Sequence, residues 1–225
     1  GGQLQSEYSY DSEGQLKNYT GFGFPGRKSW EINCHYDANN RLVKKESSFD
    51  LSSGPSPLWS NSYTEYSYAP NGRISEEKNY IMQNNNYILA SKVKPNFNAN
   101  GQLESRALYL PNDVLARITT YQYNNAGNIV VQEEYRYNLA VAQIEYRYSY
   151  DDHDNRRNPH IGLASAVPPF SVNTNNILRT TVTNYVSTPG TPIVSTTNAV
   201  YNSYNASGLP VNVFENGTNF VYEYK

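Results

Sequence analysis

The side chains with the most chemical capacity gather between positions 151 and 176. Asp151-Asp152-His153-Asp154-Asn155 puts three carboxylates and an imidazole into five positions, and Arg156, Arg157, His160 and Phe170 follow. Clustered carboxylates supply oxygen ligands for a hard cation, but the EF-hand spacing with its distal glutamate is missing. No metal is assigned. His35, His153 and His160 are the only histidines. No nucleophile elbow, paired metal-ligand motif or phosphate-cradling glycine loop accompanies them. Glu76-Glu77 and Glu133-Glu134 are adjacent residues, so on a strand they point to opposite faces and do not make an acid/base pair. Cys34 is the sole cysteine; it forms no internal disulfide and reads as a small strand hydrophobe rather than a reactive thiol. The expectation is a protein that is not an enzyme and carries no cofactor.

Binding chemistry has a different source. The chain holds 22 tyrosines together with Trp30 and Trp59. Aromatic rings join an apolar face to a polar handle and can stack on sugars. The competing reading is that most of these tyrosines form the packed face of a sheet. The candidate ligand-binding set is therefore Arg156, Arg157, His160, Phe170, Trp30 and Trp59, with a glycan or an envelope protein as the partner classes. Asn18, Asn205 and Asn216 each begin an Asn-x-Ser/Thr triplet, which matters only where N-glycosylation operates.

Charge and hydropathy exclude other classes. Lys plus Arg number 18 against 20 Asp plus Glu, a net charge of −2. That balance leaves no electrostatic footprint for nucleic acid. No stretch approaches the ~20 apolar residues of a membrane helix. A lipid-facing barrel confines its aromatics to girdles, whereas tyrosine here runs throughout a chain of mean hydropathy −0.72. A soluble barrel or curled sheet without membrane insertion is expected.

What positions these residues is a repeat. Tyr8-Ser-Tyr10-Asp11-Ser12-Glu13-Gly14-Gln15-Leu16 returns at Tyr36–Leu42, Tyr68–Ile74, Phe97–Leu103, Tyr123–Ile129 and Tyr204–Pro210. A further clear copy starts at Tyr150 and a worn one at Val172. Asp or Asn, two free positions and Gly is the grammar of a type I turn whose last residue takes positive φ as a bulge. Asn40, Asp154 and Asn176 stand where Gly is missing, and Asn and Asp tolerate left-handed φ best. Pro70 occupies the second turn position, where its fixed φ is favoured. Tyr10 and Leu16 then face each other across a hairpin ladder. Tight turns are predicted at 11–14, 37–40, 69–72, 98–101, 124–127 and 205–208.

Segments of about 20 residues separate these turns, enough for two strands and a second turn. The second turns fall at 21–26, 52–57, 84–86, 111–113, near Asn138, at 187–192, and at Asn216-Gly217, a two-residue hairpin signal. In 144–150 the alternation sets Ile144, Tyr146, Tyr148 and Tyr150 on one face and Glu145, Arg147 and Ser149 on the other. The fold class is all-β: an antiparallel hairpin meander of about 12–16 strands, curled or closed into a porin-like barrel. One domain spans 1–225, with an irregular insertion at 151–176. Long ordered excursions of that kind carry function more often than short turns do.

The Tyr-Asp-x-x-Gly-x-Leu phrase resembles the YD repeats of Rhs-type proteins, which implies a β-hairpin shell. Nothing matches the core-closing segment of those proteins, so toxin delivery is not implied. The tyrosine-rich repeats with the Asp151-Asp152…Asn158-Pro159…Gly162-Leu163 insertion resemble exported or lipoprotein domains of Bacteroidales. That resemblance implies a porin-like β fold, no assigned activity, and a periplasmic or cell-surface, lipid-anchored location. The chain opens Gly1-Gly2 without Met, as after a removed export signal or an expression scar.

Overall fold

A computed structural model describes residues 6–23, 27–52, 59–138, 141–158, 173, 175–186, 191–215 and 217–221. All regular structure in them is strand. The strands are β1 (Ser6–Tyr10), β2 (Leu16–Gly23), β3 (Arg27–Tyr36), β4 (Leu42–Asp50), β5 (Trp59–Tyr68), β6 (Ile74–Gln83), β7 (Asn86–Phe97) and β8 (Leu103–Tyr109). They continue as β9 (Leu115–Tyr123), β10 (Ile129–Asn138), β11 (Val141–Arg157), β12 (Asn175–Asn184), β13 (Ile193–Tyr204), β14 (Pro210–Glu215) and β15 (Thr218–Val221). Hydrogen-bonded neighbours follow chain order from β1 to β15, an antiparallel meander. β1 and β15 are the two ends of that order among the described residues, so the sheet is open rather than closed.

The turn grammar sets the geometry. In all six predicted turns the fourth residue donates its amide to the first carbonyl, as Gly14 does to Asp11 at 3.1 Å and Gly127 to Asn124 at 3.0 Å. Gly72, Gly101 and Gly208 repeat this bond with φ of 79°, 82° and 74°, and Asn40 does so with φ of 61°. The first side chain caps each turn where it can. Asp11 Oδ1 accepts from the amides of Glu13 and Gln15, each at 2.9 Å. Ala69 has no such oxygen, and Asn71 Oδ1 accepts from the Arg73 amide instead. The predicted pair Tyr10 and Leu16 lies opposite in the ladder, as do Tyr36 and Leu42, Tyr68 and Ile74, and Tyr123 and Ile129.

One second turn is equally regular. Asn84 and Asn85 both take positive φ between the paired residues Gln83 and Asn86, the signature of a type I′ turn. Glu215 pairs with Thr218 around Asn216-Gly217. The break at 111–113 hides a copy of the repeat turn: Asp113 donates to the Leu110 carbonyl and sits at φ 64°.

Four expectations are corrected. The copy beginning at Tyr150 makes no turn, because β11 runs on to Arg157 and pairs with β12 through successive bulges after Tyr150. Asn176 likewise lies inside β12 and not in a turn. The alternation of 144–150 is broken at Glu145. Arg147 pairs with Glu133 and Ile144 with Tyr135, two residues on, which leaves Glu145 as the extra residue of a bulge. Ile144 therefore shares a face with Arg147, and Glu145 joins the face of Tyr146 and Tyr148. Gly21–Gly23, read as loop, closes β2 as strand.

The chain divides into two compact units: residues 1–96 with 108–114, and 97–107 with 115–225. In the first, Leu16, Cys34 and Val93 are buried. Burial pushes the Cys34 thiol up despite the nearby Lys45, which suits an inert structural cysteine. In the second, Tyr121, Ile129, Tyr150 and Ile177 form the core, with Leu103, Tyr123 and Tyr148 packed against it. No helix among the described residues is long and apolar enough to cross a membrane.

Candidate functional site

Described residues at the two ends of the 151–176 region form a dense polar junction with the start of β10. Asn173 is its centre and is 0% exposed. Its Oδ1 accepts the Ile129 amide at 2.7 Å, its Nδ2 lies 3.2 Å from His153 Nε2, and its carbonyl accepts Asn158 Nδ2 at 2.9 Å. Asn128 and Asn175 exchange two bonds: Asn128 Nδ2 donates to Asn175 Oδ1 and the Asn175 amide to Asn128 Oδ1. Buried amides of this kind are stable only when every donor and acceptor is met, and they are met here among the described residues.

Asp154 organises the neighbouring cluster. Its Oδ1 accepts the amides of Arg156 and Asn176, and its Oδ2 accepts Asn176 Nδ2 at 2.8 Å and the Tyr204 hydroxyl at 2.6 Å. Burial and the Asp154 carboxylate push the Tyr204 phenol up. The Arg156 guanidinium sits 5.2 Å from the Tyr204 ring centre, a cation–π contact. Outside this cluster, Asp151 and Asp152 lie 3.4 Å and 3.5 Å from Arg179. Together with His153, Asn124 and Asn155 these carboxylates line a shallow, polar concavity. No group of three or more His, Cys, Asp or Glu side chains among the described residues converges as metal ligands would.

The predicted ligand set falls partly in each unit and partly outside the described residues. Arg156 stands on Tyr204; Arg157 ends β11, and its side chain lies outside the described residues, as do His160 and Phe170. Trp30 and Trp59 belong to the first unit. Trp30 is half-buried and packs edge-on to Tyr19, with centroids 4.2 Å apart and planes at 85°. Its indole also covers Gly21, where a Cβ would meet Trp30 Cε2 at 2.0 Å. Trp59 opens β5 opposite Asp50 and is 37% exposed.

Some of the tyrosine rings face one another. Tyr8 stacks on Tyr19 at 4.1 Å and 8°, and Tyr63 on Tyr80 at 4.5 Å and 17°. Lys44 Nζ lies 4.6 Å from the Tyr63 ring centre, and Tyr87 meets the same ring edge-on. These stacked pairs lie across neighbouring strands, and each ring gives one of its faces to the other. The repeat tyrosines have a further role. Tyr36 donates its hydroxyl to the Leu16 carbonyl at 2.9 Å, Tyr68 to Leu42 at 2.7 Å, and Tyr123 to Leu103 at 2.8 Å. Each thus fastens its own repeat to the preceding one. Tyr204 makes the same kind of bond with Asp154 as the acceptor.

Sequence reasoning missed Asn173, Asn158 and Asn128, and Glu145. The last is 4% exposed and holds Arg117 at 2.9 Å and Arg136 at 2.6 Å. One signal was available. After the fourth turn residue the copies carry Gln15, Arg41, Arg73, Gln102, Ile177 or Leu209, and a short amide stands there only as Asn128 and Asn155. The remaining contacts join residues far apart in the chain and leave no local trace.

Neither a protein-family model nor a curated protein matches the chain. Among solved structures, a porin-like protein from Bacteroides uniformis is similar over 96% of this chain and 92% of its own, at 10% identity and a TM-score of 0.42. The TcdB2-TccC3 structure is similar over 88% of this chain and 14% of its own, at 10% identity and a TM-score of 0.22. The Photorhabdus luminescens Tc holotoxin pore is similar over 99% of this chain and 16% of its own, at 9% identity and a TM-score of 0.22.

Proposed function

We propose that this is a non-enzymatic β-repeat scaffold of the cell envelope, exported and lipid-anchored, whose surface serves as an interaction shell. The observation that carries the reading is the commitment of the repeat tyrosines. Their hydroxyls bind the carbonyl of the preceding repeat, at Tyr36, Tyr68 and Tyr123, and stacked tyrosine pairs use their ring faces on each other. A tyrosine held by its hydroxyl, as those three are, or stacked on another ring, as Tyr8, Tyr19, Tyr63 and Tyr80 are, is used in building the sheet and is less available as a sugar platform. The exported location rests on the resemblance of the repeat phrase to YD-repeat and Bacteroidales envelope domains.

A glycan-binding module is the second reading, favoured by the exposure of Trp59 and of Tyr87, at 37% and 45%. A glycan array with the intact domain separates the two. Binding abolished by Trp59→Ala or Tyr87→Ala would replace the scaffold reading, whereas an empty array supports it. A substrate screen tests the absence of catalysis: turnover lost on substituting one histidine or glutamate would overturn it. Membrane fractionation and surface-protease accessibility of the full-length protein test the location.

A further inference from the structure

Asn173 has its orientation dictated by the backbone. The Ile129 amide is a donor without alternative, so the atom facing it at 2.7 Å must be Oδ1. Nδ2 is then the atom 3.2 Å from His153 Nε2. An amide NH2 can only donate, so Nε2 must accept, and the imidazole is neutral with its proton on Nδ1. Asn173 is fully enclosed and cannot turn over without leaving the Ile129 amide facing an NH2.

We propose that His153 and Asn173 form a proton-sensitive latch that clamps the end of β11 and the approach to β12 onto β10, closed with neutral imidazole and opened by its protonation. A proton on Nε2 sets two donors against each other and removes the bond. Among the described residues, the charged groups that act on the ring are Asp152 and Asp154 of β11, which draw a proton toward the imidazole, and Asp151 lines the same concavity. Asp154 is engaged by Asn176 and Tyr204, and Asp152 lies near Arg179 of β12. The residue opposite on β12 is Ile177, and the β9–β10 turn contributes the neutral Asn124 and Asn128. Burial outweighs the two carboxylates and holds the imidazole below its ordinary value. The sign follows: stabilisation is complete above the ordinary imidazole pKa of about 6.5 and is lost as pH falls through the depressed folded value.

The test is amide exchange at Ile129 and an NMR titration of His153, in the wild type and in two variants. In the wild type the Ile129 protection factor should fall by about tenfold between neutral pH and a pH one unit below the folded-state value. His153→Gln keeps an acceptor without a titrating group and should abolish that dependence. Asn173→Asp accepts both the Ile129 amide and a protonated imidazole, so it should raise the His153 pKa and reverse the slope of stability against pH. If Asn173→Asp fails to fold, His153→Gln decides alone. A wild-type His153 that titrates at the ordinary value, or a pH dependence unchanged in His153→Gln, overturns the latch.

Discussion

In the turn of residues 98–102, the Asn98 side chain accepts amides two and four residues ahead, at 3.0 Å each. At the junction of 151–158 and 173–176 the corresponding bonds of Asn173 reach across 44, 20 and 15 residues. Both regions satisfy backbone donors with short amide side chains. The turns do so locally and at the partly exposed surface; the junction does so over long range and buried. A local cap can be replaced by water when it is lost, and a buried amide cannot. The two regions should therefore differ in mutational cost even though their chemistry is the same.

The largest expected effect tests this directly. Asn173→Ala strands the buried Ile129 amide and should destabilise the chain by about 2–3 kcal/mol. Asn98→Ala exposes its turn amides to solvent and should cost about 1 kcal/mol or less. Urea midpoints of the two variants at unchanged slope measure the difference. Equal midpoints would break the comparison.

The tyrosine fasteners come next. Tyr204 donates to a carboxylate and Tyr123 to a neutral carbonyl. Bonds to charged groups are the stronger kind, so Tyr204→Phe should cost about 1.5–2 kcal/mol and Tyr123→Phe about 1 kcal/mol. A larger loss for Tyr123→Phe would mean that the Asp154 cluster is well served without the hydroxyl.

Alkaline titration sharpens the same contrast across many sites. Burial pushes the phenols of Tyr36, Tyr121 and Tyr123 up to about 12, and raises Tyr150 and Tyr204 as well. A phenol with a raised folded pKa stabilises the fold below its ordinary value near 10, and that stability is lost as pH rises through the folded value. Tyrosinate absorbance should therefore rise in a cooperative step above pH 10, together with loss of the β circular dichroism signal. A single non-cooperative tyrosine titration at the ordinary value would contradict it.

How much was legible follows from the same difference in range. Each turn is written within seven consecutive residues, as from Tyr10 to Leu16: the cap, the two free positions, the left-handed residue and the ladder pair that brackets them. Asn40 was recognisable as a glycine substitute because its backbone role is set by its neighbours, and its φ is 61°. The Leu110–Asp113 turn uses the same backbone shape without the Tyr-Asp phrase, so only its breakers were visible. The copy at Tyr150 fails because Asp154, expected at the left-handed position, is engaged by Asn176 and Tyr204 from β12 and β13. Tertiary partners override the local turn preference there. Glu145 was misplaced for a related reason. One bulged residue reverses the alternation, and the two arginines that stabilise it lie 28 residues back, at Arg117, and on the paired strand, at Arg136.

The smallest effect isolates the backbone alone. At Gly72 the chain holds φ of 79°, and a Cβ added there would meet nothing within 4 Å. Gly72→Ala therefore creates no clash, fills no cavity and leaves the amide bond to Ala69 intact in principle. What remains is the cost of forcing an L side chain into the left-handed region, about 1–2 kcal/mol, less the gain from a stiffer unfolded chain. Asn40 is the mirror experiment. It holds φ of 61° with an exposed side chain, so Asn40→Gly relieves the same strain while loosening the unfolded state. The two terms oppose, and the change should lie within about 0.5 kcal/mol of zero. If the turns are local units, the two substitutions should also add when combined, because they sit in different turns without a shared partner. A combined effect that departs from the sum would show that these turns are coupled through the sheet, as the residues around Asn173 are.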